Sequence, residues 1–213
     1  MLWIAVALVT SYLLGSVPTA YLFGRILKGI DIRKIGSGNV GATNAMRALG
    51  KGPGIIVLLL DILKGFIAVV LLGGYFSHRT TILQEQNLSI IMGLCCICGH
   101  NWTIFLKFKG GKGIATTFGV LIGLALKLPG LGMIIGILVL SWLVIFIIWR
   151  IVSLASIVAA ITLPVSVFFF KQPPVLTFVS LILCLFVLIR HKANLLRILQ
   201  GKEPRLRFSK PKH

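Results

Sequence analysis

The chain has 213 residues, of which 57% are hydrophobic and only 12% are charged. Soluble domains carry about 25% charged residues, so this composition excludes an ordinary soluble fold and indicates an integral membrane protein. The formal net charge is +18, but the basic residues lie between apolar runs, where membrane topology explains them better than nucleic-acid binding does.

Seven apolar stretches of roughly spanning length follow one another along the chain. They cover approximately residues 3–24, 53–76, 87–106, 113–128, 131–149, 151–170 and 174–190. Their lengths of about 15 to 22 residues, without barrel-type alternation, predict an all-α, polytopic membrane helix bundle with about seven transmembrane helices. The first stretch has no basic leader and no cleavage site, so we expect a retained span. We expect residues 1–213 to form a single membrane-embedded domain.

The basic residues predict the orientation of this bundle. Most of the 22 lysines and arginines fall after the first, third and fifth stretches or in the C-terminal tail. The other side has only Arg79, Lys127 and Lys171. Because Lys and Arg favour cytoplasmic loops, we expect the N-terminus outside and the C-terminus in the cytoplasm.

The first polar stretch is GSGNVGATNAMR at residues 36–47. It formally matches G-x-G-x-x-G, but no βαβ pattern surrounds it, so a dinucleotide fold is not indicated. Glycines let backbone N–H groups turn toward one centre, and polar side chains and an arginine add donors for an anion. The candidate anion-binding residues are Ser37, Gly38, Asn39, Gly41, Thr43, Asn44 and Arg47. The alternative is a flexible loop whose arginine only marks topology.

Two charged residues lie within the second apolar stretch. Asp61 and Lys64 are three residues apart, and each alone would be costly in lipid, so we expect them to pair toward the bundle interior. The cysteines at positions 95, 96, 98 and 184 lie in apolar stretches, where thiolates are disfavoured, and we interpret them as packing residues.

The second polar stretch is FLKFKGGKGIATT at residues 105–117. Its spacing is not that of a Walker A loop, and no strand precedes it. Lysines and glycines at the start of a helix combine positive charge, unpaired N–H groups and the positive end of the helix dipole. This pattern also predicts an anion site. GGKGIATT faintly repeats GNVGATN of the first stretch, by internal duplication or by chance.

The third polar stretch is the chain end, RHKANLLRILQGKEPR at residues 190–205. If it is helical, His191 and Asn194 share one face, with Arg190 and Arg197 beside them. The alternative is a basic amphipathic tail lying on anionic lipid.

Together these stretches resemble one family. GSGNVGATNAMRALG at 36–50, GHNWTIFLKFKGGKGIATTFG at 99–119 and HKANLLRILQGKEPR at 191–205 are similar to the bacterial acyl-phosphate:glycerol-3-phosphate acyltransferases of the PlsY type, with RIVSLASI at 150–157 as a weaker fourth match. The resemblance runs from about Gly15 to Arg205. It departs from the family pattern after Gly99-His100, where a proline is usual and this chain reads Asn101-Trp102-Thr103.

The resemblance implies transfer of a fatty acyl group from acyl phosphate to the 1-position of glycerol 3-phosphate, giving lysophosphatidic acid and phosphate. It implies the inner membrane of a bacterium as the location, with a site facing the cytoplasm. The expected partners are the two substrates and membrane lipid, without nucleic acid or an obligate protein partner. No cofactor and no metal are expected. Acyl phosphate is already activated, so an acyl-enzyme intermediate is not expected.

On this basis we assign roles to particular residues. We expect His191, Asn194 and Lys112 to be catalytic, with His191 as the general base or a residue that only positions the acceptor hydroxyl. The predicted phosphate-binding residues are the seven named in the first stretch, Lys107, Lys109, Gly110 and Gly111 in the second, and Ser153 and Arg197. Asp61 and Lys64 are expected to support the site, and the resemblance places His100 in the second motif.

Two other functions fit parts of the sequence. An organic-phosphate transporter could use the same loops for translocation, and the faint repeat leaves room for the inverted repeats of transporters. However, the loops around Lys127 and Lys171 are poor in donors. A structural scaffold does not account for the glycine-lysine loop.

Overall fold

The computed structural model describes residues 1–206, and these residues form helices without any strand. The predicted all-α class is confirmed. The chain divides into two compact units, Met1–Leu131 (unit 1) and Gly132 onward (unit 2). The single domain over 1–213 therefore stays a prediction. The last basic residues of the predicted tail, Arg207, Lys210 and Lys212, lie outside the described residues.

Unit 1 contains seven α-helices. They are α1 (Leu2–Ser16), α2 (Thr19–Lys28), α3 (Ala42–Leu49), α4 (Lys51–Ile67), α5 (Gly73–Ser77), α6 (Glu85–Asn101) and α7 (Ile114–Ala125). Short 3₁₀ turns cover Ile32–Lys34 and Ile104–Leu106, and a π-helical turn, Ala68–Leu72, joins α4 to α5.

Five helical segments within residues 1–206 are long and apolar enough to cross a membrane. They are Leu2–Lys28, Lys51–Ser77, Glu85–Leu106, Leu131–Trp149 and Val152–Phe169. Pro174–Arg190 and Lys192–Leu199 meet at a 60° bend and would make a sixth span if counted together. These segments match six of the seven predicted stretches.

The fourth predicted span is shorter than expected. The sequence favours a span over 113–128, but the helix there, α7, has only 12 residues. At 1.5 Å per residue it is about 18 Å long, well short of a hydrocarbon core about 30 Å thick. By length and composition, five or six segments among the described residues qualify as membrane spans, against about seven predicted, and α7 is a shorter apolar helix. The orientation of the termini, which we infer from the basic residues, stays a prediction.

Helices α1 and α6 lie with their backbones in direct contact. A Cβ atom built on Gly15 would lie 1.9 Å from Cys96 O, and one built on Gly99 would lie 2.1 Å from Tyr12 O. Ser11 Oγ donates to Met92 O at 2.6 Å across the same contact. Small residues thus allow the close approach that helices in membranes use in place of hydrophobic association.

The first spanning segment is broken between α1 and α2, at Val17-Pro18. Proline has no N–H, and the break leaves carbonyl groups without their helical partners. Ser16 O accepts a hydrogen bond from Thr103 Oγ1 at 2.6 Å. Val17 O accepts one from Lys64 Nζ at 3.3 Å. The break is therefore satisfied by side chains from two other parts of unit 1.

Helices α4 and α7 also make a close contact. A Cβ on Gly65 would lie 2.2 Å from Thr116 O, and one on Gly119 would lie 1.9 Å from Ile62 O. Beyond this contact, the π-helical turn brings Gly73 against Ser89 of α6, where an added Cβ would lie 2.7 Å from Ser89 Oγ. These contacts fix the start of α7 relative to α4.

The described part of unit 2, up to Leu206, contains four helices. They are α8 (Leu131–Trp149), which begins at the boundary residue, α9 (Val152–Phe169), α10 (Pro174–Arg190) and α11 (Lys192–Leu199). Pro164 lies inside α9 without ending it. After α11 the chain returns to the start of α9, where Leu206 N donates to Arg150 O at 2.8 Å. This return places residues 203–206 beside the N-terminus of α9.

Candidate active site

The two glycine-rich stretches of unit 1 share one hydrophobic cluster. We call residues 36–47 the first glycine loop and residues 107–113 the glycine-lysine loop. Leu106, next to the glycine-lysine loop, belongs to the same buried cluster as Val40 and Ala45 of the first glycine loop. The side chain of Ile32 is also in this cluster and is fully buried. The two predicted anion-binding loops therefore lie side by side in unit 1.

Asn44 gives the first glycine loop its shape. Its Oδ1 accepts a hydrogen bond from Ser37 N at 3.0 Å. Its Nδ2 donates to Ile32 O and Ile35 O, both at 3.1 Å. Both amide N–H bonds are therefore used within the loop, and the side chain is buried. These contacts give Asn44 a role in positioning the loop, and its predicted contact with phosphate stays a prediction.

The other predicted residues of the first glycine loop are more accessible. Ser37 and Arg47 are exposed, whereas Gly38, Asn39, Gly41 and Thr43 are half-buried. Helix α3 begins directly after Gly41. A short helix thus starts within this loop, whereas α7 starts at the end of the other.

An ion-pair network precedes the first glycine loop. Asp31 accepts from Arg33 Nε at 2.9 Å and from Arg33 Nη2 at 2.7 Å. The guanidinium groups of Arg25 and Arg33 lie 5.3 and 5.1 Å from the centre of the Tyr21 ring. The side-chain hydrogen bonds from Arg33 lower the pKa of Asp31 to about 2 despite its partial burial. Arg33 is thereby engaged with a carboxylate.

The glycine-lysine loop is closed against the end of α6 by two backbone hydrogen bonds. Gly110 N donates to Asn101 O at 3.1 Å, and Gly111 N donates to His100 O at 2.9 Å. Both N–H groups therefore have backbone acceptors, and the predicted binding of phosphate by Gly110 and Gly111 stays a prediction. The N–H groups of Ile114, Ala115 and Thr116 open α7 and have no acceptor within the helix.

The lysines of this loop differ in exposure. Lys107 and Lys109 are exposed, and Lys112 is half-buried. Lys107 and Phe108 both have left-handed backbone conformations, with φ values of 54° and 60°. Such conformations are uncommon for residues other than glycine and are found where the surrounding structure fixes the chain. The loop therefore has one defined path between the 3₁₀ turn and α7.

His100 connects the glycine-lysine loop to a buried polar group. Its Nδ1 lies 2.8 Å from Lys64 Nζ, which also makes a 2.8 Å ion pair with Asp61 Oδ1. Thr19 Oγ1 donates to the same carboxylate oxygen at 2.8 Å. The predicted pairing of Asp61 with Lys64 in the interior is confirmed. Thr19 was not predicted, because no local pattern links it to residues on α4.

In unit 2, three predicted residues meet at one carboxylate that sequence reasoning missed. Glu203 Oε1 accepts hydrogen bonds from Ser153 Oγ at 2.7 Å and from Asn194 Nδ2, and Arg197 Nε donates to Glu203 Oε2 at 2.7 Å. Burial raises the pKa of Glu203, but the hydrogen bonds from these residues lower it more, so it lies below its ordinary value. The sequence offered one signal for Glu203: the chain has only four acidic residues, so each of them was a candidate for a specific role.

His191 lies at the bend between α10 and α11 and is 3% exposed. Its Nδ1 is 2.9 Å from Val187 O. A carbonyl oxygen only accepts, so Nδ1 carries the proton. In the neutral ring the lone pair is then on Nε2. This tautomer makes Nε2 the basic nitrogen of His191.

The cysteines contribute packing. Cys96 is buried and its Sγ donates to Lys64 O at 3.6 Å, while the side chains of Cys95, Cys98 and Cys184 are half-buried within helices. None of the four is disulfide-bonded.

Comparison with known proteins gives a consistent result along the chain. Residues 5–201 match the model of the family described as glycerol-3-phosphate acyltransferase. A glycerol-3-phosphate acyltransferase from Prochlorococcus marinus is 44% identical over 205 residues, covering 93% of this chain and 92% of the relative. Glycerol-3-phosphate acyltransferase 2 from Moorella thermoacetica is 44% identical over 208 residues, covering 96% and 98%.

Two crystal structures have a similar fold. One is PlsY (YgiH), an integral membrane glycerol 3-phosphate acyltransferase, in its glycerol 3-phosphate form, with a TM-score of 0.83, 36% identity and 96% of each chain covered. The lysophosphatidic acid form of PlsY has a TM-score of 0.80 and 36% identity, covering 96% of this chain and 95% of that chain.

Proposed function

The chain belongs to the glycerol-3-phosphate acyltransferase family of the PlsY type, and we propose that it moves a fatty acyl group from acyl phosphate to the 1-position of glycerol 3-phosphate. The products are lysophosphatidic acid and inorganic phosphate. The related crystal structures hold glycerol 3-phosphate in one form and lysophosphatidic acid in the other, which supports these two molecules as acceptor and product.

The observation that carries this proposal is the shared cluster beneath the two glycine-rich loops. Leu106 packs with Val40 and Ala45, so two loops rich in anion donors lie beside each other in unit 1. Both proposed substrates carry a phosphate group, and the donor also carries an acyl chain. Two neighbouring anion sites on a membrane-spanning unit fit such a pair of substrates.

We assign one phosphate to the glycine-lysine loop. Lys112, nearest to α7, is the main cationic ligand, and the N–H groups of Ile114 and Ala115 supply donors at the positive end of the helix dipole. Lys107 and Lys109 add mobile positive charge. Gly110 and Gly111 contribute by closing the loop against α6.

We assign the other phosphate to the first glycine loop. Arg47 offers a planar pair of donors that matches phosphate oxygens. Ser37, Asn39 and Thr43 offer side-chain donors in the same loop. Asn44 holds the loop in shape through its three hydrogen bonds.

In unit 2 we assign the acceptor hydroxyl to His191. Its tautomer places the lone pair on Nε2, which suits a general base. Asn194 lies on α11, about one turn after His191. It orients the substrate or the catalytic residues. Ser153 and Arg197 hold Glu203 together with Asn194, and we propose that this carboxylate fixes all three side chains.

The proposed chemical step needs no covalent intermediate. The 1-hydroxyl oxygen of glycerol 3-phosphate attacks the carbonyl carbon of acyl phosphate, and the bond from that carbon to the phosphate oxygen breaks. The phosphate leaves with the bonding electron pair, and the hydroxyl proton moves to His191 Nε2 and then to the leaving phosphate. The enzyme therefore has to align the substrates and stabilise developing negative charge.

We propose that the protein lies in the inner membrane of a bacterium with both glycine-rich loops facing the cytoplasm. The loops and the C-terminal tail carry most of the basic residues, which favours the cytoplasmic side. The opposite end of unit 1 has the aromatic pair Trp3 and Tyr75 with Arg79 against their rings. Aromatic residues are enriched at membrane interfaces.

The test is a transfer assay with the purified full chain in detergent or lipid mesophase. Palmitoyl phosphate is the donor, and phosphate release is measured with and without glycerol 3-phosphate while lysophosphatidic acid is followed in parallel. We expect release that depends on the acceptor and equals the product formed. The control replaces palmitoyl phosphate with palmitoyl-CoA, which should give no product.

Absence of transfer by a well-folded sample would contradict the proposal. The same protein would then be placed in sealed vesicles and uptake of glycerol 3-phosphate measured, because a transporter could use the same loops.

A further inference from the structure

A buried polar group in unit 1 has no direct part in the proposed chemistry. Asp61 and Lys64 lie one turn apart on α4, and His100 lies in the last turn of α6. Thr19, at the start of α2, completes the group, and no member is more than 8% exposed. A buried ion pair contributes little to stability compared with apolar side chains of the same volume. Its position against the glycine-lysine loop therefore suggests a role in the reaction.

The contacts of Lys64 determine the state of His100. Lys64 Nζ has three neighbours within hydrogen-bond distance: Asp61 Oδ1 at 2.8 Å, His100 Nδ1 at 2.8 Å and Val17 O at 3.3 Å. An ammonium group has three N–H bonds and no acceptor, so His100 Nδ1 accepts. A neutral imidazole that accepts at Nδ1 carries its proton on Nε2. The ion pair thus fixes both the tautomer and the orientation of the ring.

The other side of the same ring contacts the glycine-lysine loop. A Cβ atom built on Gly111 would lie 2.1 Å from His100 Nε2, so the ring lies directly against the Gly111 backbone. Gly111 N also donates to His100 O at 2.9 Å. The ring and the main chain of His100 together set the position of Gly111, the residue before Lys112.

We propose that Asp61 and Lys64 are positioning residues for acyl transfer, acting through His100 on Gly111 and the phosphate-binding start of α7. This inference rests on the proposed function. Asp61 fixes the ammonium of Lys64 by an ion pair, and this ammonium fixes the His100 ring by a hydrogen bond. The ring in turn packs against the backbone of the glycine-lysine loop. If the ring turned by one rotamer, Gly111 would lose its support and Lys112 would move away from the phosphate.

The test compares kinetic constants for the two substrates. Lys64→Met keeps the length of the side chain and removes the charge. We expect it to raise KM about 10-fold or more for one substrate, the one whose KM is also raised by Lys112→Met, while kcat and the other KM change about 3-fold at most. Combining Lys64→Met with His100→Ala should cost little more than the worse single change, because both act through one contact.

A milder variant and a matched control accompany this substitution. Thr19→Val preserves shape and removes only the hydrogen bond to Asp61, so it tests the group even if the charge variants fail to fold. We expect the same KM to rise about 3-fold. Ser11→Ala removes a buried α1–α6 hydrogen bond of similar length that lies away from the loop. It should leave both KM values unchanged.

Several results would overturn the inference. One is a folded Lys64→Met or Thr19→Val protein with both KM values at wild-type level. Another is a loss of kcat alone, in proportion to the folded fraction, which would indicate a purely structural role.

If the wild type shows no transfer, the proposed function fails, and thermal stabilisation by inorganic phosphate becomes the readout. An unchanged phosphate-induced Tm shift in Lys64→Met would then reject the positioning role.

Discussion

Thr103 donates a hydrogen bond from its Oγ1 to Ser16 O at 2.6 Å, joining the turn after α6 to the break in the first spanning segment. Thr103 lies in the stretch after Gly99-His100 where a proline is usual in the family pattern, and its φ of −66° is a value that proline also adopts. The turn therefore combines a proline-compatible backbone at Thr103 with a contact to a buried carbonyl.

We predict that Thr103→Val lowers the free energy of unfolding by about 1 kcal/mol, because Ser16 O loses its donor. Thr103→Pro should recover part of this loss, because its φ is already fixed in the unfolded chain. Thermal unfolding in detergent, with transfer activity measured on the same samples, checks both variants. A proline variant less stable than the valine variant would contradict this account.

Gly111→Ala should reduce kcat/KM by about 10-fold or more, because the new Cβ would overlap His100 Nε2 and displace the loop. Gly52→Ala is the matched control, since a Cβ there meets nothing within 4 Å. The transfer assay on both purified variants measures their kcat/KM values for comparison with the wild type. Equal activities for the two would mean that the loop accommodates the added methyl group.

Asn44→Ala and Arg47→Ala should fail in different ways. Removing the Asn44 amide takes one donor from each of the carbonyls of Ile32 and Ile35 and takes the acceptor from Ser37 N, and we expect the free energy of unfolding to fall by about 2 kcal/mol. Arg47→Ala should leave the Tm unchanged and raise one KM about 10-fold. Tm and KM measured together separate these outcomes, and a normal Tm for Asn44→Ala would refute its role in shaping the loop.

His191→Ala should lower kcat by about 100-fold or more, with a smaller change in KM, because a general base contributes 10²- to 10⁴-fold. Lys192→Ala, which changes the exposed neighbour, should keep near wild-type kcat. Steady-state kinetics at saturating donor measures both. A raised KM with kcat nearly intact would show that His191 only binds the acceptor and that a substrate phosphate takes the proton.

Glu203 should make stability depend on pH. Its folded-state pKa lies below the ordinary value of 4.5, so the ionised form favours the folded state. This contribution is complete above pH 4.5 and is lost as the pH falls further toward the folded-state pKa. We expect Glu203→Gln to cost about 1 kcal/mol at pH 7 and progressively less below pH 4.5. Glu85→Gln, an exposed carboxylate on unit 1, serves as the control in Tm measurements from pH 7 to 3.5.

The sequence predicts the spanning helices well, because long apolar runs are a local signal of membrane insertion. It overestimates α7 because the apolar run continues beyond Ala125 while the helix ends there. Hydropathy alone does not indicate the residue at which a helix ends and a turn begins. The glycine-rich loops were also recognisable, since their composition is unlike anything else in the chain.

The hydrogen-bond partners inside the loops could not be predicted. The amide of Asn44 and the N–H groups of Gly110 and Gly111 are donors by composition, but the fold has already assigned them acceptors. Glu203 was overlooked because its three partners, among them Ser153, approach it only when the chain returns to α9. Such assignments depend on contacts between distant positions, which spacing alone does not reveal.

The π-helical turn at Ala68–Leu72 gives the second spanning segment one residue more than regular winding would hold. A π-helical turn takes up one residue more than an α-helical turn. Because the extra residue is absorbed within that turn, deleting one residue there would restore regular winding and leave Gly73 facing Ser89. A deletion in the regular part of α4 would instead rotate everything after it by about 100° around the helix axis. The turn is therefore the place where this segment, with Asp61 and Lys64 before the turn and Tyr75 after it, tolerates the loss of a residue.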